Sequence, residues 1–290
     1  MPNTRDIRNR IRGVTNTQKI TRAMQLVAAS KMKKAQDRAL EGRPYAQQLA
    51  RMLASLTDKV EDFSHPFIEE REVKKRGILL ISTDRGLCGS LNANLFREVG
   101  NLDKSATAFV TIGRKARQFI SRTGRELMAD FPISEEATFK ELRPVVEFMI
   151  EQFKEGTIDS IEILYPRFRN TLIQEPALVP LLPLTSLTEY VRKFAKEQGV
   201  ELVEDSRELV FEPSPDVILN KLLDRFVKRE AYQMLVDARA SEHSARMVAM
   251  KAATDNAKKL TDSLTLQYNK ARQAGITQEI LEITAAAQHS

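Results

Sequence analysis

The sequence predicts an α/β chain, with a long antiparallel coiled coil of N- and C-terminal helices plus a central α/β domain. Three observations carry that expectation. No glycine or proline occurs from Val14 to Glu41, and none from Asp216 to Ala274. Between these stretches, apolar β-rich runs alternate with helical ones, which is the pattern of βαβ units. The expected division is 1–58 for the N-terminal coiled-coil helix, 75–212 for the central domain and 216–288 for the C-terminal helix.

In the first segment Ile7, Ile11 and Val14, then Ile20, Met24 and Val27, then Ala28, Met32, Ala35 and Ala39 follow helical steps. That spacing marks an amphipathic helix beginning near Thr4 or Arg5. Gly42 and Pro44 should interrupt it, because Pro44 has no N–H to donate and disfavours helical angles at Arg43. "YAQQLARMLASL" then resumes the helical pattern to about Leu56.

The runs "GILLIST" (77–83), "ATAFVTIG" (106–113) and "SIEILYP" (160–166) read as strands. Helical stretches between them imply a mainly parallel, Rossmann-like sheet. "NTLIQEPALVPLLPL" contains three prolines, which confine it to an edge strand or a loop. "ELVFEPSPD" reads as a last strand, with Pro213 and Pro215 leading into the long helix.

From Asp216 to Ala274 the unbroken run would make roughly 88 Å of helix at about 1.5 Å per residue. Its expected stripe passes through Val227, Ala231, Met234, Ala238, Ala245, Ala249, Ala252, Leu260, Leu264, Tyr268 and Ala271. A run this long without caps points to a coiled coil. The N-terminal helix is the expected partner, packed antiparallel and wound left-handed because the stripe follows seven-residue spacing. The C-terminal helix would overhang it.

Composition narrows the function. A formal charge of +6 and a pI of about 9.3 favour acidic partners. Cys88 is the only cysteine, so an intramolecular disulfide and a multi-cysteine metal site are excluded. With histidines only at 65, 243 and 289, zinc catalysis has no ligand cluster. No run reaches the roughly 20 apolar residues that span a bilayer, and the N-terminus lacks a signal-peptide core, so membrane association would be indirect. "MPNTRDIRNRIRG" is arginine-rich like a transit peptide, but it has no serine and contains Asp6.

"LLISTDRGLCGSLN" has the strand, glycine-bearing loop and helix order of a phosphate cradle. No lysine follows its glycines, and Gly86 and Gly89 alone do not make a dinucleotide fingerprint. A βα turn, in which glycine supplies unusual backbone angles, is the preferred reading. Cys88 at the start of a helix could be a reactive thiolate, yet no histidine is near it in sequence. Basic residues also crowd the first helix, from Arg5 to Arg38, against only Asp6 and Asp37. They could form a solvated face, a nucleic-acid contact or an ionic contact with acidic protein loops. No aromatic side chains interleave them as single-strand binding would require.

Three stretches, "NTQKITRAMQLVAASKM", "STDRGLCGSLN" and "ARMVAMKAATDN…YNKARQAGITQEI", closely resemble the gamma subunit family of bacterial-type ATP synthases. The resemblance implies a non-catalytic rotor shaft without cofactors, coupling proton flow to ATP synthesis or hydrolysis by rotation. Its implied partners are a ring of three alpha and three beta subunits, the epsilon subunit and the membrane c-ring, with no nucleic acid. The implied location is the cytoplasmic side of the cell membrane, peripherally and through the complex. Carried over by position, the basic stretch around Met24 and Lys31 would face acidic lever loops of the catalytic subunits. Cys88 and its loop would lie near that region as interaction surface. Arg246, Gln273, Thr277 and Glu279 would join the contact network between shaft and ring. Ser90 stands where many relatives have a third glycine. Chloroplast relatives carry an inserted dithiol switch, which one cysteine cannot form.

Overall fold

The computed structural model describes residues 4–57, 65–69, 71–184, 192, 195–196, 212 and 214–288. Helix α1 (Thr4–Glu41) starts where the spacing predicts and stops at Gly42, and α2 (Arg43–Thr57) follows at once. The alternating region holds β1 (Arg76–Ile81), α3 (Leu91–Asn101), β2 (Thr107–Ile112), α4 (Arg114–Thr123), β3 (Glu126–Phe131), α5 (Phe139–Lys154), β4 (Ser160–Phe168) and β5 (Gln174–Leu182). The last helix, α6, runs unbroken over Pro215–Gln288. Gly275 lies inside it, with open space where a side chain would project. The strand expected in "ELVFEPSPD" falls almost wholly outside the described residues.

The chain divides into two units, Met1–Ala29 with Arg246–Ser290, and Ser30–Ala245. Both passages between them occur inside helices, one in α1 and one in α6.

The larger unit contains a five-stranded sheet of order β3-β2-β1-β4-β5. Its first four strands pair in parallel, while β5 is an antiparallel edge strand. Pro176 and Pro180 lie within β5, and an edge strand tolerates them because one of its sides needs no ladder donors. Strand alternation sends Leu79, Ile81, Val110, Ile112 and Ile163 to one face, against α2, α5 and the 219–238 stretch of α6. Ile78, Leu80, Phe109 and Leu164 go to the other, against Leu95 and Val99 of α3 and Ala116 and Ile120 of α4. The central strands are therefore apolar on both faces, as parallel strands covered by helices must be. Each fully buried Leu, Ile or Phe contributes about 1.5–3 kcal/mol of hydrophobic stabilisation.

The smaller unit is an antiparallel helix pair. Along α1 one series of its buried and half-buried positions is Ile7, Ile11, Val14, Gln18, Thr21, Gln25 and Ala28; along α6 one is Met250, Thr254, Ala257, Thr261, Leu264, Tyr268, Ala271 and Gly275, with half-buried residues such as Thr15, Met24, Ala249 and Ala253 flanking them. Steps of three and four alternate along both series, which is the heptad of a left-handed coiled coil. The expected stripe needs correction here. Ile20 (60% exposed), Val27 (55%) and Leu260 (47%) face solvent, as does Ala252. Polar residues share the seam with apolar ones, because short hydroxyl side chains satisfy their hydrogen bonds locally. The Thr254 hydroxyl reaches the Met250 carbonyl at 2.8 Å and lies 2.8 Å from the Thr21 hydroxyl across the seam. Nearer the N-terminus of α1, Arg8 donates to the Tyr268 hydroxyl at 2.5 Å, with its guanidinium over the ring.

Candidate subunit-interaction surface

The β1–α3 loop, residues 82–90, sits at the carboxyl edge of the sheet. Nucleotides and other ligands bind there in open α/β folds, beside the strand where the winding reverses. That strand is β1, because β2 and β4 lie on its opposite sides. Here the chain's own groups take up the position. Asp84 Oδ1 accepts the Arg114 N–H at 2.9 Å and Ser82 Oγ accepts the Ala116 N–H at 2.7 Å, so the α4 N-terminus already holds its own acceptors. α6 passes along the same edge. The Phe168 N–H donates to Asp237 at 3.1 Å, Ser244 donates to the Thr171 carbonyl at 2.8 Å, and Ala245 packs with Cys88 and Leu91. Burial beside β4 pushes the Asp237 carboxyl up to about 6, and the Phe168 N–H offsets only part of that shift.

Asn92, in the first turn of α3, ties the two ends of the loop together. Its amide donates to Thr83 Oγ1 at 2.7 Å and to Cys88 Sγ at 3.4 Å. Cys88 is buried, so this thiol anchors the loop to α3 and α6. The loop offers Arg85, Leu87 and Ser90 to solvent, and of these Leu87, 61% exposed, is held at φ 63°. A leucine in the left-handed region is uncommon, and sequence alone gives no signal for it. Among the described residues no group of three or more His, Cys, Asp or Glu side chains is placed to hold a metal ion.

Lys31 belongs to the larger unit, where its ammonium binds both Glu135 carboxylate oxygens at 2.6 and 2.7 Å. That pair is half exposed, so it adds less than about 1 kcal/mol. Arg38, about two helical turns further by way of Lys34, donates to the Glu136 carbonyl.

Met24 and Arg246 belong to the smaller unit and are half-buried. Gln273, Thr277 and Glu279 are all exposed on α6. Pairing of Arg8 with Tyr268 and of Thr21 with Thr254 places Thr4 level with about Arg272. These three residues therefore extend beyond the described start of α1. Ile276, Ile280 and Ile283 share one face of that stretch by helical spacing, and all three are exposed, Ile283 at 70%. With Ile20, Leu26, Val27 and Leu266 they are large apolar side chains on an otherwise mostly polar and charged exterior, around a partly polar seam. Hydrophobicity, the sequence's only guide to facing, places Ile20, Val27 and Leu260 in the seam, where the structure does not put them.

A sequence family described as ATP synthase matches residues 3–289. A protein from Opitutus terrae (strain DSM 11246 / JCM 15787 / PB90-1), named ATP synthase gamma chain, is 55% identical over 289 residues, 99% of this chain and 98% of its own length. Among solved structures, the central stalk/c-ring of Tetrahymena thermophila mitochondrial ATP synthase contains a chain of 25% identity and TM-score 0.58, covering 81% of this chain and 99% of that one. The rotor of Euglena gracilis mitochondrial ATP synthase in rotational state 1 shares the fold, with TM-score 0.66, 19% identity, and coverage of 94% and 98%.

Proposed function

The chain belongs to the ATP synthase gamma-chain family, and from that membership we propose that it is the central-stalk rotor of a proton-translocating ATP synthase. In this reading it is a non-catalytic subunit within a ring of three alpha and three beta subunits, and it contacts the epsilon subunit and the c-ring. It couples proton flow through the membrane sector to ATP synthesis or hydrolysis, and regulates both. Its place is peripheral, on the cytoplasmic side of the cell membrane. Among the described residues no helix is long and apolar enough to cross a membrane.

The observation that carries the reading is the set of apolar side chains that the helix pair leaves outside its seam. Threonine and glutamine share the seam with Ile7, Ile11, Val14 and Leu264, while Ile20, Leu26, Val27, Leu266, Ile276, Ile280 and Ile283 are exposed. Exposed apolar side chains in such numbers on one element mark a protein interaction surface. Gln273, Thr277 and Glu279 sit among them at the far end of α6, Met24 and Arg246 lie on the same unit, and Leu87 is the contact offered by the Cys88 loop. A rotor drives catalysis by making different contacts with each catalytic subunit as it turns. Those differences shift each subunit between states that bind ADP and phosphate, form ATP, and release it.

Membranes assembled without this chain test the reading. The expected outcome is loss of proton-driven ATP synthesis, restored by adding the chain back, with no ATP hydrolysis by the chain alone. Proton-driven synthesis at the normal rate in its absence would overturn the proposal.

A further inference from the structure

Within the larger unit, Glu230, Asp237 and Ser244 recur every two turns of α6 and so form one row along it, of which the last two meet the end of the β4–β5 hairpin. We propose that this row is a pH-sensitive latch: the hairpin end is held on α6 while Asp237 is protonated and is released when that carboxyl ionises. The device belongs to this chain alone and does not rest on the rotor reading. Two clasps form it. The Phe168 N–H donates to Asp237 at 3.1 Å, and the Ser244 hydroxyl donates to the Thr171 carbonyl at 2.8 Å while accepting from the Gln174 amide at 3.4 Å. The turn between them is tied to itself, because Asn170 Oδ1 accepts the Leu172 and Ile173 N–H groups at 2.9 Å each. Leu172 and Ile173 are both exposed, so apolar burial does little to hold the turn down and the polar clasps decide whether it stays. It can part from α6 as a preformed piece, a local opening that leaves the sheet intact.

The charged groups around Asp237 come from three elements. Arg167 and Arg169 of β4 favour its carboxylate form, though Arg169 is also paired with Glu175 of β5 at 3.2 Å. Tyr165 of β4 accepts from Arg167 at 3.2 Å and feels both Asp237 and Glu230 of α6, whose negative charges oppose its own ionisation. Burial outweighs the Phe168 N–H and the two arginines, and the closed hairpin therefore keeps the proton on Asp237 up to about pH 6. Parting from α6 returns the carboxyl to water, where its ordinary value is 3.8. The closed form binds the proton more tightly than the open one. Closure is thus favoured most below about pH 4, and that advantage is lost as pH rises through about 6.

The test is amide hydrogen exchange of the full-length chain, resolved by NMR from pH 5 to pH 8 and corrected for the intrinsic pH dependence of exchange. Protection of the Phe168 amide should fall roughly tenfold between pH 5 and pH 7 and level off above, as the two values for Asp237 require. Amides of the central strand β1 should keep their protection throughout. Asp237→Asn, neutral at every pH, should remove the dependence at Phe168. Ser244→Ala should lower protection of the turn at all pH values while leaving the dependence in place. Phe168 protection that does not change with pH would overturn the proposal, as would an equal change in Asp237→Asn or a parallel loss in β1, which would mark opening of the whole unit. If Asp237→Asn fails to fold, the carbon-13 carboxyl signal of Asp237 in the wild-type chain decides the matter. A midpoint near 6 that coincides with the loss of protection supports the latch, and a midpoint near the ordinary value overturns it.

Discussion

Gly113, the last residue before α4, holds φ 98°, and a Cβ built there would lie 2.3 Å from the Ser82 carbonyl oxygen. Both the angle and the space demand glycine. Gly113→Ala should therefore destabilise the chain by roughly 3 kcal/mol or more, combining backbone strain with overpacking. Urea unfolding would measure it, and a loss below about 1 kcal/mol would contradict the account. Asp237 makes a prediction about pH. Its carboxyl titrates near 6 when folded against an ordinary value of 3.8, so the folded chain holds the proton more tightly than the unfolded one. The contribution of this carboxyl to stability should thus be fully present below about pH 4 and be lost as pH rises through about 6. Asp237→Asn keeps an acceptor for the Phe168 N–H while removing the charge. It should flatten that slope and raise stability at pH 7, as denaturant melts from pH 4 to 7 would show. An unchanged slope in the variant would assign the pH dependence elsewhere. Neither residue stood out in the sequence, because what makes each special is a neighbour supplied by another element.

At the scale of elements, α5 shows how a helix start is held. Glu141 accepts the Thr138 N–H and hydroxyl at 2.9 and 2.7 Å, and the Ser134 N–H and hydroxyl at 3.0 Å each. The Thr138 bonds lead in pulling its carboxyl down from 4.5 to about 2. A depressed carboxyl stabilises the fold above its ordinary value, and that contribution fades as pH falls towards 2. Glu141→Ala should fray the first turn of α5 and cost about 1 kcal/mol at neutral pH, a typical loss for a helix cap. Hydrogen exchange at the first amides of α5 would report it, and protection equal to wild type would refute it. Other elements differ in how plainly they could be read. β1, β2 and β4 were legible because burial on both faces requires continuous apolar runs. β3, "ELMADF", was missed because it is an edge strand, only partly buried and mixed in polarity. The prolines of β5 did mark an edge, since a central strand could not spare their N–H groups. In the coiled coil the helices themselves were evident, but their facing was not. A seam built on Thr21, Thr254 and Gln18 looks like surface to any reading that ranks residues by hydrophobicity.

For the molecule as a whole, the partly polar seam and the exposed apolar side chains are two sides of one fact. Apolar residues that the helix pair does not need for itself remain for a partner, and the end of α6 has the most of them. Ile276, Ile280 and Ile283 are exposed in the isolated chain, so replacing all three with aspartate removes little buried area and should leave its thermal stability nearly unchanged. Helix propensity argues the same way, because aspartate differs from isoleucine by only a few tenths of a kcal/mol per position. Inside a ring of partner subunits the outcome reverses. Three carboxylates would have to be desolvated without counter-ions, and each uncompensated charge costs several kcal/mol. The triple variant should therefore melt like wild type alone, yet fail to co-purify with the alpha and beta subunits or to support ATP synthesis. A matched set on the solvent side of the larger unit, Leu172→Asp with Ile173→Asp, should retain co-purification if that loop faces away from the ring. If the triple variant assembles and turns over normally, the apolar end of α6 is not the contact surface, and the rotor reading loses the observation that carries it. If it unfolds in isolation, those isoleucines support the chain's own fold, contrary to their exposure.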